Sequence, residues 1–189
     1  AAQALTGFFN NPRDFQDTEI AQAIGRLQIA ENGEWSLIGD RYLAEDKKAS
    51  HFPHVCLGEI VEILDSKRKP ITKQDRVAGP YPYYGATGRV DYVADYIFDE
   101  ELVLVGEDGA KWGAGEKTAF AISGKTWVNN HAHVLRPKRE VLLDVYLIEM
   151  LNQMDLSPYI TGVTVPKLNQ EKLRSIEIPL PPIEIQRDI

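Results

Sequence analysis

The segment ELVLVGEDGA, residues 101–110, predicts a strand at the centre of a β-rich region. The consecutive apolar residues Val103–Val105 indicate a buried strand, and Gly106 indicates the turn that ends it. Further β-rich runs separated by turn residues lie on both sides, over residues 89–99 and 118–137. The sequence therefore predicts a domain of short strands joined by tight turns.

Helical patterns surround this β-rich region. Residues 141–154, VLLDVYLIEMLNQM, predict one long helix, because their apolar positions recur with the 3.6-residue period. A short helix is predicted near 169–174, followed by an apolar strand over 175–180. Residues 55–64 fit either a strand or a short helix, and residues 3–31 have a helical pattern. The fold class is therefore α+β.

The composition is that of a globular protein, with 43% hydrophobic and 26% charged residues in a chain of 189. No apolar run approaches the roughly 20 residues that a membrane helix needs, and the N-terminal residues lack the pattern of a signal peptide. Cys56 is the single cysteine, so no disulfide can form within the chain. A cytoplasmic location without membrane association is expected.

The net charge of −7 argues against a nucleic-acid partner, but the charge is unevenly distributed. Residues 64–89 hold six basic and two acidic side chains, a local balance of +4. This basic segment could neutralise phosphates along one side of a duplex. Asn129 and Asn130 are amides of the kind that pair with adenine edges, and Arg89 or Lys125 could address guanine.

Catalytic and metal-binding alternatives have weaker support. Residues 119–126 fit a loosened phosphate-loop pattern, but strand-forming residues follow Lys125 where that mechanism needs a helix, and a β-hairpin turn over 123–125 is the simpler interpretation. His131 and His133 would point to one face of a strand. Together with His51, His54 and Cys56 they still do not make the four-ligand pattern of a zinc site. No catalytic residue and no metal site are predicted.

The run from Gly79 to Gln170 carries motifs specific enough to indicate a family. They are YYGATG (83–88), DY (91–92), YIFD (96–99), LVGEDGA (104–110), WVNNHAHVL (127–135), TVPKLNQ (164–170) and, beyond this run, IPLPP (178–182). In order and spacing these motifs resemble the target-recognition domain of the specificity subunits of type I restriction-modification systems, and the resemblance covers roughly residues 53–189.

The resemblance implies a small α+β target-recognition domain with short twisted strands over residues 51–182. It also implies the start of a truncated spacer helix over 183–189. Such a domain has no active site and reads one half of a bipartite DNA target in double-stranded DNA. The expected partners are methyltransferase subunits, which would hold S-adenosylmethionine, and a restriction subunit. This chain itself is expected to need no cofactor.

Residues 1–50 form an N-terminal helical extension in this interpretation. Their segment NGEWSL (32–37), with GDRY (39–42), looks like the end of adenine-N6 methyltransferase subunits, so the natural protein is expected to fuse the two parts.

Side-chain chemistry then assigns the expected DNA contacts. Phosphate contacts are predicted for Lys67, Arg68, Lys69 and Lys73. Base contacts are predicted for Tyr83, Tyr84, Thr87, Arg89, Lys111, Lys125 and Asn129. A structural role, setting turns and the core, is the alternative for the motifs at 106–110 and 129–134, including His131 and His133. The alternative from another class is a protein-interaction module without a DNA role, with the tyrosine loop as its interface.

Overall fold

The structure, a computed structural model, describes residues 52–188. In this part of the chain, short and mostly antiparallel strands combine with a few helices, which confirms the predicted α+β fold class. The strands are β1 (His54–Cys56), β2 (Val61–Ile63), β3 (Tyr81–Gly85), β4 (Gly88–Val93), β5 (Phe98–Asp99), β6 (Leu102–Gly106), β7 (Ala119–Ile122), β8 (Lys125–Val128), β9 (Ala132–Pro137) and β10 (Glu177–Pro179). The helices are α1 (Leu57–Ile60), α2 (Asp144–Gln153), α3 (Gln170–Arg174) and α4 (Ile183–Gln186).

The first sheet has the strand order β2-β9-β6-β7, and all of its pairings are antiparallel. Every residue of β6 is buried, which confirms the strand predicted from Val103–Val105. One face of this sheet packs against α2 through buried side chains that include Leu147 and Leu151. The main hydrophobic core therefore lies between this sheet and α2.

The second sheet has the order β4-β3-β8-β5. Its two central strands are parallel, with Tyr83 opposite Trp127 and Tyr84 opposite Val128. Strands β3 and β4 form a hairpin in which Gly88 has φ 125°, a conformation that favours glycine. A second hydrophobic cluster contains Phe98 and Val128 from this sheet together with Leu104 and other residues of the first. The two sheets thus share a core.

The predicted hairpin turn over 123–125 is wrong in one respect. Gly124 has φ 68°, as a tight turn requires, but the strands on either side do not pair with each other. Strand β7 pairs with β6 in the first sheet, whereas β8 pairs with β3 and β5 in the second. The link Ser123–Gly124 therefore carries the chain from one sheet to the other.

The predicted helices are present with shifted bounds. The predicted long helix begins at Asp144 and not at residue 141, because Leu143 still has an extended backbone with φ −80° and ψ 141°. The short helix and the strand predicted after it are α3 and β10. Residues 55–64 resolve into strand, helix and strand, and β1 pairs with β10. The predicted N-terminal helical extension, residues 1–50, lies outside the described residues.

Two polar side chains of the C-terminal half tie these elements together. Asn152 Oδ1 accepts hydrogen bonds from the main-chain N–H groups of Thr118 (2.9 Å) and Ala119 (2.8 Å), so α2 satisfies donors at the edge strand β7. Gln186, which is 2% exposed, joins α4 to the segment before α2 by accepting from Leu143 N and donating to Val141 O.

Within residues 52–188, no helix combines the length and the apolar character that crossing a membrane would need.

Candidate functional site

A cleft of about 560 Å³ opens beside the end of β3. Four segments form its walls: the loop that carries residues 70–76, the Gly85–Ala86 turn, the loop after β6, and residues 129–131 before β9. Glycine at position 106 lets two of these walls approach closely, since a Cβ there would lie 2.3 Å from Ala110 Cβ and 3.1 Å from Ala86 O. The cleft is therefore built from loops that two sheets hold in place.

Tyr83 and Arg76 form one wall of the cleft. The Tyr83 ring is 1% exposed, and its hydroxyl accepts a hydrogen bond of 3.0 Å from Ile71 N. The Arg76 guanidinium lies 4.5 Å from the centre of this ring and makes a 3.0 Å ion pair with Asp91. A main-chain hydrogen bond from Tyr92 and the bond from Arg76 hold the pKa of the Asp91 carboxyl below its usual value. Arg76 is thus positioned by both a ring and a charge.

The opposite wall carries two amides. Asn129 is 6% exposed, and its Oδ1 accepts a 2.8 Å hydrogen bond from His131 N, while its own N–H donates to Tyr84 O at 3.0 Å. Its neighbour Asn130 is exposed. Asn129 therefore fixes the shape of this wall, and Asn130 offers an amide to solvent.

Behind the cleft lies a buried ion network. His133 is 1% exposed, with Nδ1 2.6 Å from Asp65 Oδ2 and Nε2 2.6 Å from Leu168 O. Both partners are acceptors, and only an imidazolium donates through both ring nitrogens. Arg68 extends the network, with Nη1 2.6 Å from Glu107 Oε2. In this network the cation His133 contacts the carboxylate of Asp65, and the cation Arg68 contacts the carboxylate of Glu107.

Asp65 is the centre of this network. Burial raises the pKa of its carboxyl, but hydrogen bonds from His133 and Val134 N, together with the charges of His133 and Arg68, outweigh burial and hold the pKa below its usual value. Gln170 Nε2 adds a hydrogen bond of 3.1 Å. Asp65 therefore joins the turn before the basic loop to β9 and α3.

The outer edge of the network reaches the cleft. Lys167 Nζ lies 2.6 Å from Glu107 Oε1 and 3.7 Å from Asp108 Oδ2. The hydrogen bond to Glu107 raises the pKa of Lys167. On the other oxygen of Asp108, His131 Nδ1 lies at 2.5 Å. The His131 side chain is 51% exposed, so this hydrogen-bonded pair faces solvent at the cleft.

Asp65, Glu107 and His133 lie close enough to share a metal ion. Their ligand atoms already bind Arg68, Lys167 and each other. A metal would have to displace two cations, so the charge balance disfavours a metal at this cluster.

The predicted phosphate contacts separate into two groups. Lys67, Lys69 and Lys73 are exposed along the loop that leads to the cleft. Arg68, between them in sequence, turns inward, and its side chain is 13% exposed. Since its charge is neutralised inside the protein, the geometry gives Arg68 a structural role in place of the predicted phosphate contact.

The predicted base contacts are also divided. Tyr83 and Asn129 line the cleft, but both are buried, and their polar atoms already bind the main chain. Thr87 is exposed at the tip of the β3–β4 hairpin. On β4, Arg89 is exposed, and its Nη1 donates to Tyr92 Oη at 2.6 Å.

Three further predicted base contacts lie away from the cleft walls. Tyr84 packs against Phe120 in the core between the sheets, with 6.1 Å between ring centres. Lys111 is exposed in the loop after β6 and lies 3.6 Å from Glu116. Lys125 begins β8, so no helix follows it, which removes the phosphate-loop alternative. Its Nζ lies 4.8 Å from the Tyr96 ring, at the end of the sheet opposite the hairpin turn.

Sequence reasoning assigned no contact to the cleft residues Thr72, Asp108 and His131. It noted Asn130 only as an amide suited to an adenine edge, and Arg76 only as part of the basic segment. It also expected His131 and His133 on one face of a strand. Strand β9 begins at Ala132, so His131 belongs to the preceding loop and is exposed while His133 is buried. Placing the start of the strand at Ala132, between the two histidines, would have predicted that only His133 is buried.

Residues 50–189 match the family model described as the type I restriction modification DNA specificity domain. The chain belongs to this family. A Haemophilus influenzae protein assigned as a type I restriction enzyme specificity subunit is 39% identical over 133 residues, which are 70% of this chain and 34% of that protein. The chain thus spans about a third of the length of this relative.

Solved structures support the fold of this specificity domain. The S subunit of a type I restriction-modification system from M. genitalium gives a TM-score of 0.56 at 17% identity, covering 73% of this chain and 37% of that one. A chain from a structure of complex assembly in the type I R-M system gives a TM-score of 0.55, also at 17% identity, covering 98% of this chain and 47% of that one. At this identity the likeness concerns the fold.

Proposed function

We propose that this domain recognises a short sequence in double-stranded DNA through the cleft and the loops at its rim. The observation that carries the proposal is a basic loop with exposed lysines whose residues 70–72 and Arg76 line a cleft that presents a guanidinium, an amide and an imidazole. Specific readers of DNA combine phosphate contacts, which set position, with polar groups that reach base edges. Family membership supports the same function.

The proposed phosphate contacts are Lys67, Lys69 and Lys73, whose side chains are exposed. The proposed base contacts are Asn130 and Arg76 in the cleft, with Thr87 and Arg89 on the adjacent hairpin. Asn129 and Tyr83 act beneath them by fixing the cleft walls. An amide suits an adenine edge and a guanidinium suits a guanine edge, so the cleft offers donors and acceptors for both.

The test is selection from a pool of random duplexes at low salt, followed by sequencing of the retained fraction. Enrichment of a motif of a few base pairs is expected. The triple variant Lys67→Ala/Lys69→Ala/Lys73→Ala should weaken binding to all sequences and reduce the slope of log affinity against log salt by up to ~0.9 per lost phosphate contact.

The matched control is Lys138→Ala. Lys138 follows the end of β9 opposite the cleft, and its ammonium donates to Glu59 O. This variant also loses a positive charge, but it should keep the salt slope of the parent. Binding that is indifferent to salt and to the triple variant would refute the DNA function and favour a protein-interaction module.

We further propose that the domain is the non-catalytic part of a larger assembly. Methyltransferase subunits that hold S-adenosylmethionine would act on the DNA that it selects, and a restriction subunit would cleave it. Exposed apolar side chains near α4, namely Val141, Val145 and Ile185, supply a surface suited to a protein partner. Val145→Asp should weaken co-purification with a methyltransferase subunit and leave duplex binding by the isolated chain unchanged.

A further inference from the structure

Asp108 fixes the hydrogen-bonding state of an exposed histidine in the cleft. His131 Nδ1 lies 2.5 Å from Asp108 Oδ1, so this nitrogen carries a proton that it donates to the carboxylate. The other nitrogen, Nε2, has no hydrogen-bond partner among the described residues, and the side chain is 51% exposed. The polar character of the cleft at this point therefore depends on whether Nε2 is protonated.

The protein holds this pair in one arrangement. His131 N donates to Asn129 Oδ1 at 2.8 Å, and Glu107 N donates to His131 O at 2.8 Å, so both main-chain groups of the histidine are bound. Asp108 N pairs weakly with the same carbonyl at 3.5 Å. The imidazole is thus attached to a fixed backbone and oriented by a fixed carboxylate.

The charged groups around His131 come from each element beside it. Asp108 and Glu107 come from the loop after β6, and Lys167 lies 3.7 Å from Asp108. Arg68 Nη1 lies 3.4 Å from Asn130 O, and it is neutralised by its own carboxylate partners. Arg76, on the facing wall, is paired with Asp91. Asp108 is the carboxylate in direct contact with the imidazole.

We propose that His131 is a DNA contact that changes from acceptor to donor as it gains a proton, so that this domain binds DNA more tightly at lower pH. This inference rests on the proposed DNA function of the cleft. Protonated Nε2 would donate to an acceptor on DNA, either a phosphate oxygen or the O6/N7 edge of guanine. Neutral Nε2 offers a lone pair, which both of these acceptors repel.

Proton uptake on binding predicts the size of the effect. A single group that is protonated in the complex and neutral in the free protein increases affinity by at most about tenfold per pH unit. Histidines change charge between about pH 5 and pH 8, so the expected increase lies in that range. Cationic His131 is expected to keep its Asp108 bond, since Nδ1 donates in both states.

The experiment measures duplex binding by the full 189-residue chain at fixed salt across about pH 5.5 to 8, with a random duplex and with any enriched duplex. The parent should bind more tightly as the pH falls. His131→Gln should bind with a nearly flat pH profile. The matched control His54→Gln, which changes an exposed histidine on β1, should retain the profile of the parent.

The outcomes separate this inference from the DNA function. If His131→Gln keeps the pH profile of the parent, the role of His131 is refuted while DNA binding stands. If no variant binds at any pH, both proposals fail. If His131→Gln flattens the pH profile and lowers the salt slope at low pH by up to ~0.9, the acceptor is a phosphate. If His131→Gln flattens the profile and alters the preference at one base position, the acceptor is guanine.

Asp108→Asn supplies a second test of the mechanism. Loss of the carboxylate removes the acceptor that keeps a proton on Nδ1, so a neutral imidazole can also carry its proton on Nε2, and the affinity should depend less on pH. Because His133 remains intact in both variants, a change in the profile cannot be attributed to the buried histidine. An Asp108→Asn profile identical to that of the parent would contradict the coupling.

Discussion

Replacing Asp65 with alanine is expected to produce a large loss of stability. The substitution removes the carboxylate that binds His133 Nδ1 at 2.6 Å and Arg68 Nη2 at 3.3 Å, and it leaves Val134 N without its acceptor. His133 is 1% exposed, so without Asp65 its Nδ1 would lose its hydrogen-bond partner inside the core, where water does not replace it. Removing one partner of a buried ion pair costs about 3–5 kcal/mol.

That cost should be visible in thermal or urea unfolding at neutral pH. For a chain of this size it corresponds to a melting temperature lower by roughly 6–20 °C. The matched control is Asp99→Ala, which removes an exposed carboxylate on β5 and should change stability by less than about 0.5 kcal/mol. If Asp65→Ala were as stable as Asp99→Ala, the ion network would not contribute to folding as argued.

The contribution of Asp65 to the free energy of unfolding should decrease in acid. The native interactions lower the pKa of Asp65, so its contribution is present above the pKa of the unfolded state, about 3.9, and is lost as the pH falls through the lower folded value. The difference in unfolding free energy between parent and Asp65→Ala should therefore shrink below about pH 4. A difference that instead grew in acid would contradict this interpretation.

Three further substitutions test the packing. Gly106→Ala should destabilise the chain by about 1–3 kcal/mol in thermal unfolding, because its Cβ would lie 2.3 Å from Ala110 Cβ. Asn152→Ala should cost about 1–3 kcal/mol by removing the acceptor shared by Ala119 N and Thr118 N, of which Thr118 N keeps a 3.0 Å bond to Glu116 O, and amide exchange at Ala119 should accelerate. Gln186→Ala should lower the urea midpoint for a similar reason, while Gln153→Ala, at an exposed position, should have little effect.

Local pattern predicted those elements whose structure depends on neighbouring residues. The strand at Leu102–Gly106 and the helix at Asp144–Gln153 follow from an apolar run and from helical periodicity. The separation of β7 from β8 could not be predicted, because a two-residue turn has the same sequence character whether or not its flanking strands pair. The parallel pairing of β3 with β8 is a long-range contact that no local pattern records.

In the site, too, residue type alone did not predict which side chains are buried. Arg68 has the same charge as Lys67 and Lys69, yet it alone turns inward, because Glu107 and Ala132 O lie within its reach. Those partners come from distant parts of the chain, so the sequence did not distinguish the buried cation from its exposed neighbours. The basic character of the loop and the amides before β9 were predictable from residue type.

The pairing of β1 with β10 has a consequence for how such a domain can be carried in a longer polypeptide. Cys56 and Glu177 are 121 positions apart in sequence but lie opposite each other in this two-stranded sheet. The first and the last strand of the domain are therefore neighbours, so the chain enters and leaves the domain at the same edge. A different domain that kept this pair of strands would fit between the same two connections, so binding specificity could be exchanged without rebuilding the surrounding scaffold.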